Sequence, residues 1–150
     1  MYVTKTLAVK VTDCSPPELT ISSIDYFDTN YVPRGISAPV SYSVFILPAV
    51  IPASVSIGST GIIGKLTSYA SSTKATVTGS MEWSFVVESD PTSSSTAIVN
   101  MIWKSSNVAG ALTYAQQDRY RIDASGGLTP VRFEAQYTSV PTDRIFVFTF

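Results

Sequence analysis

Glu82, Glu88 and Glu134 come closest to catalysis by type and setting, since each lies on the polar side of a run of alternating apolar and polar residues. Two carboxyl groups about 5–5.5 Å apart on such a surface can open a glycosidic bond, one as acid and base, the other as nucleophile. Glu134 has Arg132 two positions away, on the same side of its run, and no enzyme signature surrounds any of the three. Solvated strand faces with surface ion pairs account for that pattern. The chain also contains no histidine, which removes the commonest general base and the commonest metal ligand. No catalytic residue is assigned, and the chain is expected not to be an enzyme.

Binding chemistry has better candidates. The stretch Asp25-Tyr26-Phe27-Asp28-Thr29-Asn30 gathers three oxygen-bearing side chains, Asp25, Asp28 and Asn30. Calcium favours such sets, although the spacing is not that of an EF-hand loop and Asp and Asn are also ordinary turn formers. No cofactor is expected, with calcium the one exception these residues admit. Tyr26, Phe27 and Tyr31 cluster in the same region, and Tyr114 and Tyr120 frame another. Rings with a polar handle suit a sugar or receptor platform, and they equally fill β-sandwich cores. Cys14 is the only cysteine, so no intrachain disulfide or thiolate zinc site can form. With no basic neighbour to lower its pKa, Cys14 reads as an idle or buried thiol. Gly58-Ser59-Thr60-Gly61 lacks the lysine of a phosphate loop and reads as a hairpin turn.

The elements that must position these groups are strands. In Ala75–Glu88, Val77, Met81, Trp83, Phe85 and Val87 share one side while Thr76, Thr78, Ser80, Glu82, Ser84 and Glu88 share the other. Alternate residues of a pleated strand point to one face, so the segment lays its apolar side on a core. Val3–Val11, Arg119–Asp123 and Val131–Thr138 alternate in the same way, and Leu19–Ile24, Val40–Leu47, Val55–Ile63, Ala97–Lys104 and Arg144–Phe150 are shorter or two-sided runs. Breaks fall at Ser15-Pro16-Pro17, Pro33-Arg34-Gly35, Pro48 with Pro52, Ser89-Asp90-Pro91 and Val140-Pro141-Thr142-Asp143. Ser125-Gly126-Gly127 is expected to close a hairpin, and Asn107–Gln117 is the one stretch that could hold a short helix. Residues 1–150 read as a single all-β domain of about 8–9 strands. The expected architecture is a two-sheet antiparallel Greek-key β-sandwich, immunoglobulin-like or jelly-roll.

Charge and the chain ends narrow the partners. Ten basic and eleven acidic residues leave a net charge of −1, so no basic stripe or arm steers the chain to nucleic acid. No apolar run is long enough for a spanning helix, and the first residues alternate like a strand, unlike a signal peptide. The last run, Arg144–Phe150, is apolar on both faces and calls for cover on both sides. The first run starts almost at residue 1. Strands so placed suit pairing with a neighbouring copy, with Val3, Leu7, Val9, Val11, Phe146, Phe148 and Phe150 as the expected subunit contacts. A terminal Phe on an alternating strand is also a feature of outer-membrane barrels, against which the nine prolines count.

The leading expectation is a structural subunit that self-assembles in a virion (coat, decoration or appendage) or in a filament at an extracellular surface. Its partners would be copies of itself or other structural proteins. The alternative is a module that binds a surface glycan or receptor through Tyr26, Phe27 and Tyr31.

Overall fold

The computed structural model describes residues 1–10, 18–138 and 144–150. Ten strands follow in chain order: β1 (Tyr2–Lys10), β2 (Glu18–Phe27), β3 (Pro33–Ala38), β4 (Ser41–Phe45), β5 (Thr60–Tyr69), β6 (Val77–Ser89), β7 (Thr96–Asn107), β8 (Leu112–Asp123), β9 (Leu128–Tyr137) and β10 (Arg144–Thr149). The fold is all-β, as expected. The ten strands form one open sheet in the order β1 to β10, and every neighbouring pair is antiparallel. No helix among the described residues is long and apolar enough to cross a membrane.

The connectivity corrects the Greek-key expectation. A Greek key needs a long connection that carries a strand back beside an earlier one, whereas here each strand lies beside its sequence neighbours. Even the long connection 46–59 does not cross the sheet. The Ile46 N–H donates to the Lys65 carbonyl and the Val50 N–H to the Ile63 carbonyl, so the segment runs along β5 and delivers it next to β4.

Turn chemistry explains the meander. Three hairpins share one construction, at Asp28–Val32, Asn107–Ala111 and Asp123–Gly127. In each, the side-chain Oδ1 of the first residue accepts the N–H groups of the third and the fifth. The N–H of the fourth residue donates to the carbonyl of the first in all three. That fourth residue is left-handed, Tyr31 at φ 61°, Gly110 at φ 82° and Gly126 at φ 86°. An Asp or Asn that replaces backbone partners in this way stabilises a tight turn.

The same device overturns the helix expected over Asn107–Gln117. Asn107 caps a turn, and β8 starts at Leu112 and runs antiparallel to β7. Two strand boundaries also move. Pro33-Arg34-Gly35, expected as a break, opens β3, where proline is tolerated as the first residue of a strand. Val55–Ile63 does not form one strand, because Gly58 turns at φ 90° and β5 begins at Thr60.

Cross-strand register sorts the side chains onto two faces. Trp83 lies opposite Trp103, and Trp103 opposite Gln116, so these residues share the inner face. Ala49, Ile63, Phe85 and Val87 form the buried cluster there, with Phe45, Trp83, Ala97, Val99 and Met101 packed against it. The outer face carries Glu82, Lys104, Arg119, Arg132 and Glu134, which alternate with inner-face residues along their strands.

Candidate functional site

The sheet curls about its inner face, so that strands distant in order line one cavity of about 280 Å³. One wall is a row of rings. Trp83 of β6 stacks on Trp103 of β7, with centroids 4.7 Å apart and planes 7° from parallel. That separation equals the strand spacing of roughly 4.8 Å, so the two indoles stand side by side, upright on the sheet. Phe45 of β4 meets Trp83 at 6.5 Å even though β5 runs between them. Gly64 makes this contact possible: it is the β5 residue opposite Trp83, and a Cβ there would come within 2.6 Å of the Phe45 ring.

The remaining walls bring polar groups. Asp25, Tyr26 and Phe27 come from β2, and Asp118 and Tyr120 from β8. Asp25 is buried, and a bulge between Tyr26 and Phe27 where β2 pairs with β3 breaks the strict alternation at that end of the strand. Asp118 is held by its neighbours along β8. The Gln116 amide donates to both carboxylate oxygens at 2.9 and 2.8 Å, and the Tyr114 hydroxyl donates to Gln116 Oε1. Burial pushes the Tyr120 hydroxyl above its ordinary pKa, and the charge of Asp118 adds to the shift. Tyr114 is raised further, again chiefly by burial. Both tyrosines therefore act as neutral hydrogen-bonding groups at any ordinary pH. The Trp83 Nε1–H is buried and has no acceptor among the described residues.

The expected calcium ligands are not gathered. Asp25 lines the cavity, whereas Asp28 Oδ1 accepts the N–H groups of Asn30 and Val32 and its Oδ2 accepts two bonds from the Arg34 guanidinium. Those donors, the Val32 N–H foremost, hold the Asp28 carboxyl below the usual range. Asn30 is exposed and contributes its backbone to the turn. Among the described residues no group of three or more His, Cys, Asp or Glu could hold a metal ion.

The aromatic trio divides in the same way. Tyr26 and Phe27 enter the cavity, while Tyr31 is 72% exposed at the left-handed position of its turn. Sequence reading missed Trp83, Trp103, Asp118 and the inner role of Phe45 as a constellation. The signal was present only as two tryptophans on alternating strands; their contact depends on register.

Glu82 pairs with Lys65 at 3.3 Å and Glu134 with Arg132 at 2.7 Å, both on the outer face, and Glu88 is exposed near the end of β6. Of the expected subunit contacts, Phe146 and Phe148 are half-buried and lean on the β9 rings Tyr137 and Phe133, and Phe150 is 75% exposed. Val3 is exposed. Val11 and Cys14 lie outside the described residues, as do the side chains of Leu7 and Val9.

A second polar cluster ties the β6–β7 turn to β8. The Asp90 carboxylate, its side chain fully buried, accepts bonds from Arg121, Thr96 and Thr92. The Arg121 guanidinium, with the two threonines, holds the Asp90 carboxyl far below its ordinary pKa.

No protein-family model, no curated protein and no solved structure matches the chain.

Proposed function

We propose that the chain is a non-enzymatic structural subunit that adds to copies of itself through the edges of its sheet, in a virion (coat, decoration or appendage) or in a filament at an extracellular surface. The observation that carries this reading is the pair of open edges. Among the described residues β1 bonds only to β2, and β10 only to β9. Each outer edge thus offers a row of N–H and C=O groups to an incoming strand. On β10 the outer face adds apolar side chains, Ile145 at 60% and Val147 at 47% exposure. With ten alternating strands, β10 runs opposite to β1, so a copy added by translation brings its β1 antiparallel to β10. Such head-to-tail contacts close into rings or grow into filaments.

Surface area supports the same reading. The chain exposes 9770 Å², against about 7,400 Å² for a monomeric globular protein of its mass. The difference accommodates two ordinary interfaces at about 800 Å² per partner. Much of the apolar part lies in the connection 46–59, where Ile46, Leu47, Val50, Ile51, Val55 and Ile57 are exposed, and no residue from 35 to 64 is charged. Apolar patches of this kind mark protein contacts. The charged outer face has the wrong polarity for a barrel in lipid. The two-layer relation of a sandwich belongs to this proposal in altered form, with the curl placing β2 and β3 across the cavity from β7 and β8.

Light scattering on the native protein, followed by electron microscopy of any large species, tests the reading. Rings, shells or filaments are expected. A monomer of 16.1 kDa that persists at high concentration would sink it.

A further inference from the structure

Resting on the assembly reading for the contacts that the sheet edges already fill, we propose that the connection 46–59 forms a separate, two-fold contact, in which it packs against the same connection of a second copy. The segment displays Ile46, Leu47, Val50, Ile51, Val55 and Ile57 at 41–74% exposure. Its backbone is held in place at several points. The Ile46 and Val50 N–H groups donate to β5, the Gly58 N–H donates to the Val87 carbonyl of β6, and Ala49 is buried in the core cluster. Little backbone freedom is therefore left to lose when a partner covers these side chains.

Area and composition identify what covers it. The two edge contacts take up about 1,600 Å² of the surface exposed beyond that of a globular monomer, and roughly 800 Å² remains, the share of one partner in one further interface. Pro48 and Pro52 have no N–H to offer a ladder, so this contact is made by side chains and not by an added strand. No residue from 35 to 64 is charged. The surface has nothing with which to select a charged partner, and two copies brought face to face meet no like-charge repulsion. Residues 46–64 also lack Trp, Tyr, Phe, Lys and Arg. Transient contacts between different proteins favour aromatic residues and arginine, and membrane-surface segments carry aromatic and basic residues. Permanent contacts between identical subunits instead resemble a hydrophobic core cut in half, which is the composition found here. A two-fold contact is self-complementary and closed, so it joins two edge-grown rows or rings back to back.

The test uses the full chain with Ile145→Lys and Val147→Lys, which hinder edge addition, in sedimentation velocity across a dilution series. A dimer of the 16.1 kDa chain is expected. Adding Leu47→Lys and Ile51→Lys to one of the two copies should weaken that dimer about 100-fold, and adding them to both should weaken it further. Leu47→Ala with Ile51→Ala answers the same question, with a smaller loss, if the lysine variant does not fold as judged by circular dichroism. Mixing the lysine variant with the unmodified connection tests the symmetry. In a two-fold contact one altered copy spoils the pair, so no mixed dimer of full strength should form. A mixed dimer as strong as the unmodified one would show that the connection packs on some other surface, and would overturn the proposal. So would a chain that stays monomeric once its edges are blocked while wild type still assembles, an outcome that leaves the edge reading intact. A monomer that sediments with phosphatidylcholine vesicles would assign the connection to a lipid surface instead. Wild type that stops at a dimer, lost with the Leu47 and Ile51 variants, would remove the edge reading and leave this contact standing.

Discussion

Replacing Ile145 and Val147 together with lysine should weaken self-association without unfolding the chain. Both side chains project from the outer face of β10, 60% and 47% exposed, so neither holds the fold together. Fully burying an Ile or Val side chain contributes roughly 2–2.5 kcal/mol. Scaled by the exposed fractions, about 1.5 kcal/mol for Ile145 and 0.9 kcal/mol for Val147 remains to be gained when a neighbour covers them. Losing both terms, at about 1.4 kcal/mol per factor of ten, weakens each contact about 50-fold. Lysine adds a charge at a sheet edge, a device that blocks strand addition, so this factor is a lower bound. Sedimentation velocity across a dilution series wider than that factor reads the shift in midpoint. Circular dichroism and the melting temperature should match wild type. An unchanged midpoint in the folded double variant would refute the edge-addition reasoning. Phe148→Glu is a poorer probe, because Phe148 packs 5.7 Å from Phe133 and its loss would disturb β9 as well.

Three further predictions concern the fold that presents the site. A Cβ on Gly79 would come within 2.0 Å of the Ser106 carbonyl oxygen on β7, so Gly79→Ala should destabilise by about 1–3 kcal/mol, read as a lowered denaturant midpoint. Tyr31 holds the left-handed position that glycine fills in the two equivalent turns. Tyr31→Gly should relieve about 1.5 kcal/mol of strain against roughly 0.75 kcal/mol of added chain entropy, a net gain of about 0.75 kcal/mol and a rise of about 2–3 °C in melting temperature. An unchanged or lower melting temperature would show that the Tyr31 side chain stabilises the turn. Finally, Asp28, Asp90 and Asp123 all have carboxyl pKa values lowered by their donors, for Asp123 the Ser125 hydroxyl first. Folded values below unfolded ones mean that their stabilisation is complete above about pH 4 and is lost as pH falls through the native values. Asp123→Asn keeps the Oδ1 acceptor that Asn107 uses in its own turn, so its melting temperature should fall less steeply on acidification than that of wild type.

Local chemistry was legible in the residues themselves. The period-two alternation of Ala75–Glu88 marked β6 and assigned its apolar and polar sides, because a pleated strand allows no other sorting of neighbours. Ser125-Gly126-Gly127 announced its hairpin, because few residues other than glycine reach a left-handed φ without strain. Arg132 and Glu134, two apart on one strand, were bound to share a face, and they pair at 2.7 Å. The tertiary structure decided what depends on residues far apart in the chain. Asn107–Gln117 carries no strong signal of its own, and it became a turn and a strand because β7 offered it a ladder to complete. The same holds for the cavity. Trp83 and Trp103 stack only because the β6–β7 register sets them opposite one another, Phe45 reaches Trp83 only because Gly64 leaves the space, and Asp25 faces Asp118 across the cavity only because the sheet curls. Register and curvature are properties of the whole sheet, summed over many weak cross-strand preferences, and no single segment encodes them.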